Sequence, residues 1–405
     1  MQLAIRRFKG ESGERFAILI DEFGMPLYYP ALYVTAQMRG ASLSINTIDN
    51  ALSALKAMYA WQSYYGLDLE SRFKRSELLV GHEIHSLRDF MQKPMSSMWP
   101  SAGNVVAIQR KQDRVAKDNQ YNRMSVIAQY VGFLAGRLHP VTATSAREIA
   151  AMVAQVKANR PSLSSQTEKD RSESDLDDNV LDALEEILKP GGDSNPVTDI
   201  GLQYRNALMF TLLRLTGIRR GELLNLKIED FDFGKYTLRV VRRPDSAGDP
   251  RTYQPLAKTR ERTFPLIPEL MDKIQRYITD YRNKVHGARK HGYLFVTHRP
   301  GKTLGWPISG SGFGKFIGSL SNLTNEFSGM HSHALRHHWN YTFSKNSDEN
   351  GLSQERESKL RSYLMGWSET SGTAQTYNKR HIKEAAGKAT ISLQKKHLGI
   401  KSDDC

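Results

Sequence analysis

Cysteine is almost missing from this chain: of 405 residues, one is cysteine, Cys405. That excludes disulfide scaffolds and cysteine-ligated zinc, and makes a reducing cytoplasm the expected setting. Long apolar runs are missing as well. No stretch nears the roughly 18–20 residues that span a bilayer, and "MQLAIRRFKGESGER" has no signal-peptide apolar segment. Acidic residues are outnumbered by basic ones, 43 to 57, which leaves a formal net charge of +14. Such a surplus favours a polyanionic partner, and without a membrane-directed segment that partner is expected to be nucleic acid. The hydrophobic fraction of 39% can fill real cores. A chain this long exceeds one ordinary core, so two domains or more are expected.

The opening "RFAILIDEFGMPLYYP" reads as two short strands about a glycine turn, within an N-terminal β-like extension over residues 1–30. Residues 31–159 read as a helical domain. Ile48, Leu52, Leu55 and Met58 recur at helical spacing behind a Ser44 or Asn46 cap. "SELLVGHEIHSLRDFMQ" follows, and then Met124, Ile127, Val131 and Leu134 mark a further helix. Just before that last helix, Arg110, Arg114 and Lys117 fall on one helical face with Lys111 beside them. A charged face is often merely solvated, but in so basic a chain it is a candidate phosphate contact. Residues 160–174, rich in serine and charge, read as a linker. The second domain, 175–405, opens with helices that stop at Pro190–Gly192 and at Gly217. It continues through a strand in "FDFGKYTLRVVRR" and a partner strand in "RERTFPL", then turns mostly helical. The expected fold is mainly α with a small β-sheet in the second domain.

Four stretches of that domain carry unusual residue choices. In "LTGIRRGELLNL" a helix ends at Gly217 and Arg219 follows, free to present its planar fork to a phosphate, with Glu222 placed to hold the fork in orientation. Alone, an Arg–Glu pair at this spacing is ordinarily a surface pair. In "LAKTRERTFPL", Lys258 sits where two strands turn back; it is either an ordinary hairpin lysine or a proton donor reaching across a groove. "HSHALRHHWN" puts His333 and Arg336 at i, i+3, where they share a helix face and can converge on one phosphate. His331, His337 and His338 read as supporting or solvated residues. His333 and His337 have metal-ligand spacing, but no carboxylate stands between them and Arg336 sits beside them, so no metal is expected. Finally, "YLMGWSETSGTAQTYNK" offers Trp367 and Tyr377 in a polar, small-residue segment, and Tyr363 reads as a packing residue.

In this order, the four stretches resemble the boxes of the tyrosine recombinase (phage integrase) family. "TGIRRGELLNLKIEDFD" resembles its first arginine box, "KTRERTFPL" its hairpin-lysine segment, "HALRHHW" its HxxR box, and "LMGWSETSGTAQTYNK" the box bearing its nucleophile. The resemblance covers roughly residues 175–395 and extends more loosely over 31–138. Trp367 stands where the family usually has histidine, and the spacing from it to Tyr377 is one residue longer than the family's.

The resemblance implies a helical core-binding domain and an α+β catalytic domain forming a clamp around double-stranded DNA. It also implies a site-specific recombinase or integrase acting through a 3′-phosphotyrosine, without ATP, metal or cofactor. Arg219, Lys258, His333, Arg336, Trp367 and Tyr377 are its catalytic set, backed by Glu222. Arg110, Lys111, Arg114 and Lys117 are then DNA contacts. "HIKEAAGKATISLQKKHL" is the helix that would dock on a neighbouring protomer in a homo-tetramer on synapsed sites. Accessory DNA-bending proteins and a place on the bacterial nucleoid complete the expectation. A type IB topoisomerase-like relaxing enzyme is the alternative within the same chemistry. A regulator that binds DNA without cutting it is the alternative outside it, although such a protein would have no need of the nucleophile.

Overall fold

The computed structural model describes residues 3–41, 43–98, 114–162, 176–256, 259–368, 386–387 and 389–394. Arg110, Lys111, Lys258, Tyr377 and nearly all of the expected linker lie outside the described residues. Chain contacts divide the molecule into two compact units: Met1–Gly10 with Glu14–Lys169, and Glu11–Gly13 with Asp170–Cys405.

The first unit opens with an antiparallel hairpin, β1 (Ala4–Lys9) on β2 (Arg15–Ile20), with Phe8 opposite Phe16 and their rings stacked at 5.0 Å. The sequence pattern had paired the β2 segment with the residues that follow it. Those residues instead make a single bridge, Ile20 to Pro26, and then enter helix α1 (Tyr28–Tyr33). Pro26 has no N–H to extend a ladder, whereas "GESG" supplies the turn that lets β1 pair.

Helix α2 (Ile45–Tyr65) begins at Ser44, whose hydroxyl accepts from the Thr47 N–H. Ile48, Leu52, Leu55, Met58 and Trp61 form its buried stripe. Short helices α3 (Leu69–Lys74) and α4 (Gly81–Phe90) lead to α5 (Lys117–Leu138) and α6 (Ser145–Ala158), with Met124, Ile127, Val131 and Leu134 fully buried. Each such side chain contributes about 1.5–3 kcal/mol by burial. Of the basic stripe expected ahead of α5, Arg110 and Lys111 lie outside the described residues. Arg114 lies in a bend, Ala116 caps the helix and Lys117 is its first residue. Both cations are exposed.

The second unit is built around helix α8 (Ile200–Thr216), packed by α7 (Asp178–Ile187), and ends at Gly217 with φ +61°. The short helix α9 (Arg220–Leu223) follows. The expected single strand of "FDFGKYTLRVVRR" is a hairpin: β3 (Phe231–Asp232) turns through Tyr236, at φ +52°, into β4 (Thr237–Val240). β5 (Arg262–Pro265) pairs antiparallel with β4, as the pattern predicts. Helices α10 (Pro268–Arg276), α11 (Gly310–Ser321), α12 (Ser332–Glu349) and α13 (Gln354–Met365) complete the unit around a core that includes Phe210, Leu213, Leu223, Phe264, Tyr277, Phe313 and Leu335. Residues 386–387 and 389–394 are helical, with Ile391 and Leu393 exposed. The molecule is thus mainly α with small antiparallel sheets. Among the described residues no helix is long and apolar enough to cross a membrane.

Candidate active site

Two helices of the second unit end in left-handed glycines, and the site forms where those ends meet. A helix leaves its last carbonyls without intrahelical donors, at the negative end of its dipole. Arg336, on α12, is 1% exposed, and a guanidinium so buried is tolerable only if its N–H groups are satisfied. Its Nη1 donates to the Gly217 carbonyl at 2.6 Å, at the end of α8, and its Nη2 to the Met365 carbonyl at 3.3 Å, at the end of α13. Trp367, itself buried, lies over the same guanidinium at 5.4 Å.

Arg219 approaches from α9. As the cap residue it stays extended, and its Nη1 donates to the same Met365 carbonyl at 3.3 Å. The two arginines expected to grip a phosphate therefore converge on one backbone oxygen. Gly217 and Gly366 make the convergence possible. A Cβ on Gly217 would sit 2.9 Å from the Trp339 ring, and one on Gly366 2.8 Å from Thr259 Cβ and 2.9 Å from Arg262 Nη1.

Glu222 reaches Arg219 and a second arginine as well. It accepts the backbone N–H of Arg219 at 2.9 Å and forms an ion pair with the Arg219 fork at 3.8 Å. Its carboxylate is held chiefly by Arg262, from β5, with Nη2 to Oε2 at 2.9 Å and Nη1 to Oε1 at 3.3 Å. The Thr259 hydroxyl donates to it too. Burial pushes the carboxyl up, but Arg262, Thr259 and the Arg219 N–H outweigh burial and hold Glu222 below the ordinary carboxylate range.

The histidines divide. His333 is exposed while Arg336 is buried, because His333 lies in the first turn of α12 and Arg336 one turn further in. It meets His337 edge to face at 4.6 Å. His338 pairs with Asp178 at 3.1 Å, and His331 bonds the Gly329 carbonyl at 2.8 Å. Tyr363 is exposed rather than packed, its hydroxyl donating to the Thr263 carbonyl at 3.0 Å. Lys258 itself is outside the described residues, but those beside it belong to the site. The Leu256 carbonyl lies where a Cβ on Gly221 would come within 2.4 Å, and Thr259 is bonded to Glu222. Sequence reasoning missed Arg262, Thr259 and the Met365 carbonyl. One signal was available: strand alternation puts Arg262 on the same inward side as Phe264.

Residues 194–384 match the family model described as the phage integrase family. That stretch, a little under half of the chain, is thus similar to the phage integrase (tyrosine recombinase) family. It is 26% identical over 147 residues to tyrosine recombinase XerD of Halalkalibacterium halodurans, which is 36% of this chain and 42% of that protein. It is 24% identical over 172 residues to XerD of Listeria monocytogenes, 42% and 48% of the two chains. The chain thus spans less than half the length of these curated relatives. Among solved structures, XerH recombinase bound to its difH substrate aligns over 88% of this chain and 93% of its own, at TM-score 0.44 and 13% identity.

Proposed function

We propose that this protein is a site-specific DNA recombinase that cleaves and rejoins duplex DNA through a covalent 3′-phosphotyrosine. The observation that carries the reading is the meeting of Arg219 and Arg336 on one oxygen, the Met365 carbonyl. Two forks already aimed at a common acceptor are arranged as the non-bridging oxygens of a phosphate require. Donors oriented before the reaction stabilise the charge that develops in the transition state without reorganising.

In this reading the Tyr377 hydroxyl, an ordinary phenol of pKa near ~10, gives up its proton and its oxygen attacks phosphorus. The new P–O bond forms as the bond to the 5′-oxygen breaks, and Lys258 supplies the proton that the leaving oxygen takes. His333, exposed on α12, is the base or hydrogen-bonding partner for the incoming hydroxyl in this reading. Trp367 can donate its indole N–H but cannot transfer a proton in exchange. The phosphotyrosine keeps the bond energy, so a second 5′-hydroxyl reverses the step with neither ATP nor a metal. A homo-tetramer joined through the C-terminal helix, with accessory DNA-bending proteins, belongs to the same reading.

A nicked suicide substrate tests it. The wild-type chain should leave a protein–DNA band on a denaturing gel that survives excess EDTA. Tyr377→Phe should lose that band while its DNA affinity stays within a few-fold. A band undiminished in the variant moves the nucleophile to another tyrosine. Mobility shifts with no covalent band in wild type would leave the non-catalytic regulator as the reading.

A further inference from the structure

We infer that Arg262 is a positioning residue of this active site, a brace that sets the two phosphate-gripping arginines and the lysine-bearing segment in register; the inference rests on the recombinase reading above. Arg262 opens β5 with its side chain 1% exposed, and its guanidinium engages three separate parts of the site. Toward α9 it takes both oxygens of Glu222, the carboxylate that holds the Arg219 backbone. Toward the segment that carries Lys258 it donates to Thr259 Oγ1 at 3.2 Å. Toward α13 its Nε donates to the Leu364 carbonyl at 2.5 Å, one residue before the carbonyl on which Arg219 and Arg336 meet.

Packing alone does not call for this. A whole buried ion pair can often be replaced by apolar side chains of similar volume at no loss of stability. What an apolar residue cannot do is hold a carboxylate, a hydroxyl and a helix-end carbonyl at fixed distances from one another. Around the brace the segments are stitched further: the Arg260 N–H donates to the Gly366 carbonyl at 3.1 Å, and Tyr363 bonds the Thr263 carbonyl.

The test compares full-length wild type with Arg262→Met, Arg262→Lys and the double variant Glu222→Gln/Arg262→Met. It measures single-turnover cleavage of the nicked suicide substrate, its dissociation constant and the thermal midpoint. Arg262→Met should bind DNA within about threefold of wild type yet cleave about 10–100-fold more slowly, the loss expected when reacting groups shift by an ångström or less. Arg262→Lys should recover part of that rate but not all of it, because one ammonium cannot reproduce the fork.

A pH profile separates positioning from bulk stability. Without Arg262, Glu222 faces the Arg219 guanidinium at 3.8 Å and the Thr259 hydroxyl while still buried. Its carboxyl then rises, and cleavage by Arg262→Met should fall as the pH is lowered, where wild-type cleavage does not. In the double variant, which has no carboxylate to protonate, that acid limb should vanish. Unchanged cleavage in Arg262→Met, or wild-type cleavage in Arg262→Lys, overturns the inference. So does a decline in rate, affinity and thermal midpoint together with no new acid limb. A wild-type chain that forms no covalent adduct overturns the recombinase reading itself, which no Arg262 result can do.

Discussion

Lys258 shows how chemistry at one residue can be tested apart from its neighbours. If it protonates the leaving 5′-oxygen, Lys258→Ala should slow cleavage about 10²–10⁴-fold. On a substrate with sulfur in the bridging 5′ position, the leaving group needs no proton and the variant should recover most of its rate. Arg219→Ala and Arg336→Ala should not recover, because they act on the non-bridging oxygens whatever leaves. Equal impairment on both substrates moves the acid elsewhere, with Lys227 and Lys235 next to test. A second residue sets an acid limit on stability. His298 is buried against the Tyr277 hydroxyl at 3.1 Å, with Asp199 at 3.9 Å and Arg205 the charged groups facing it. Burial first, then the Arg205 charge, push its imidazole down to about 4. The unfolded chain, with a histidine pKa near ~6.5, binds the proton more readily in the window between. Stability from this group is therefore whole above about pH 6.5 and is lost as pH falls toward 4, to the extent of about 3 kcal/mol. Urea midpoints recorded from pH 7 down to 4 should show this slope in wild type and a flatter one in His298→Gln.

At the scale of an element, α13 matters for how it ends. Gly366 takes φ +65°, which directs the Leu364 and Met365 carbonyls at Arg262, Arg219 and Arg336. A methyl there would meet Thr259, Arg262 and the Arg260 carbonyl at 2.8–3.0 Å. Gly366→Ala therefore incurs both a left-handed backbone penalty and a steric one, about 2–4 kcal/mol together. The urea midpoint of the full chain should fall accordingly, and cleavage should fall further than stability predicts, since both arginines lose their common acceptor. A variant with wild-type stability and wild-type cleavage would show that the helix end can re-form without glycine.

For the whole molecule the governing quantity is charge. A net +14 draws a polyanion from a distance and makes binding depend steeply on salt. If Arg110, Arg114 and Lys117 neutralise phosphates, replacing all three with uncharged residues should weaken binding to all sequences alike. The slope of log affinity against log salt should shrink by roughly one unit for each phosphate left without its cation. Arg114 and Lys117 are exposed on either side of the α5 cap rather than on one helical stripe, so their contributions should separate in single variants. An unchanged slope assigns all three to solvent.

The sequence by itself determined the elements whose cause is local. The apolar period of α2 and α5, the Ser44 cap and the glycine at the end of α8 are each set within a few residues, and each appears where the pattern places it. It also singled out Arg219 and Arg336, because four boxes in order are information carried along the chain. Tertiary structure decided what those arginines touch. Which strand paired with β2 depended on a competition between two turns, and Pro26 lost it. That Glu222 belongs chiefly to Arg262, 40 residues on, and that Arg219 and Arg336 share a carbonyl 146 and 29 residues away, follow from where helix ends meet in a buried space. A buried guanidinium must find acceptors wherever the packed fold offers them, and no local pattern records which carbonyls those will be.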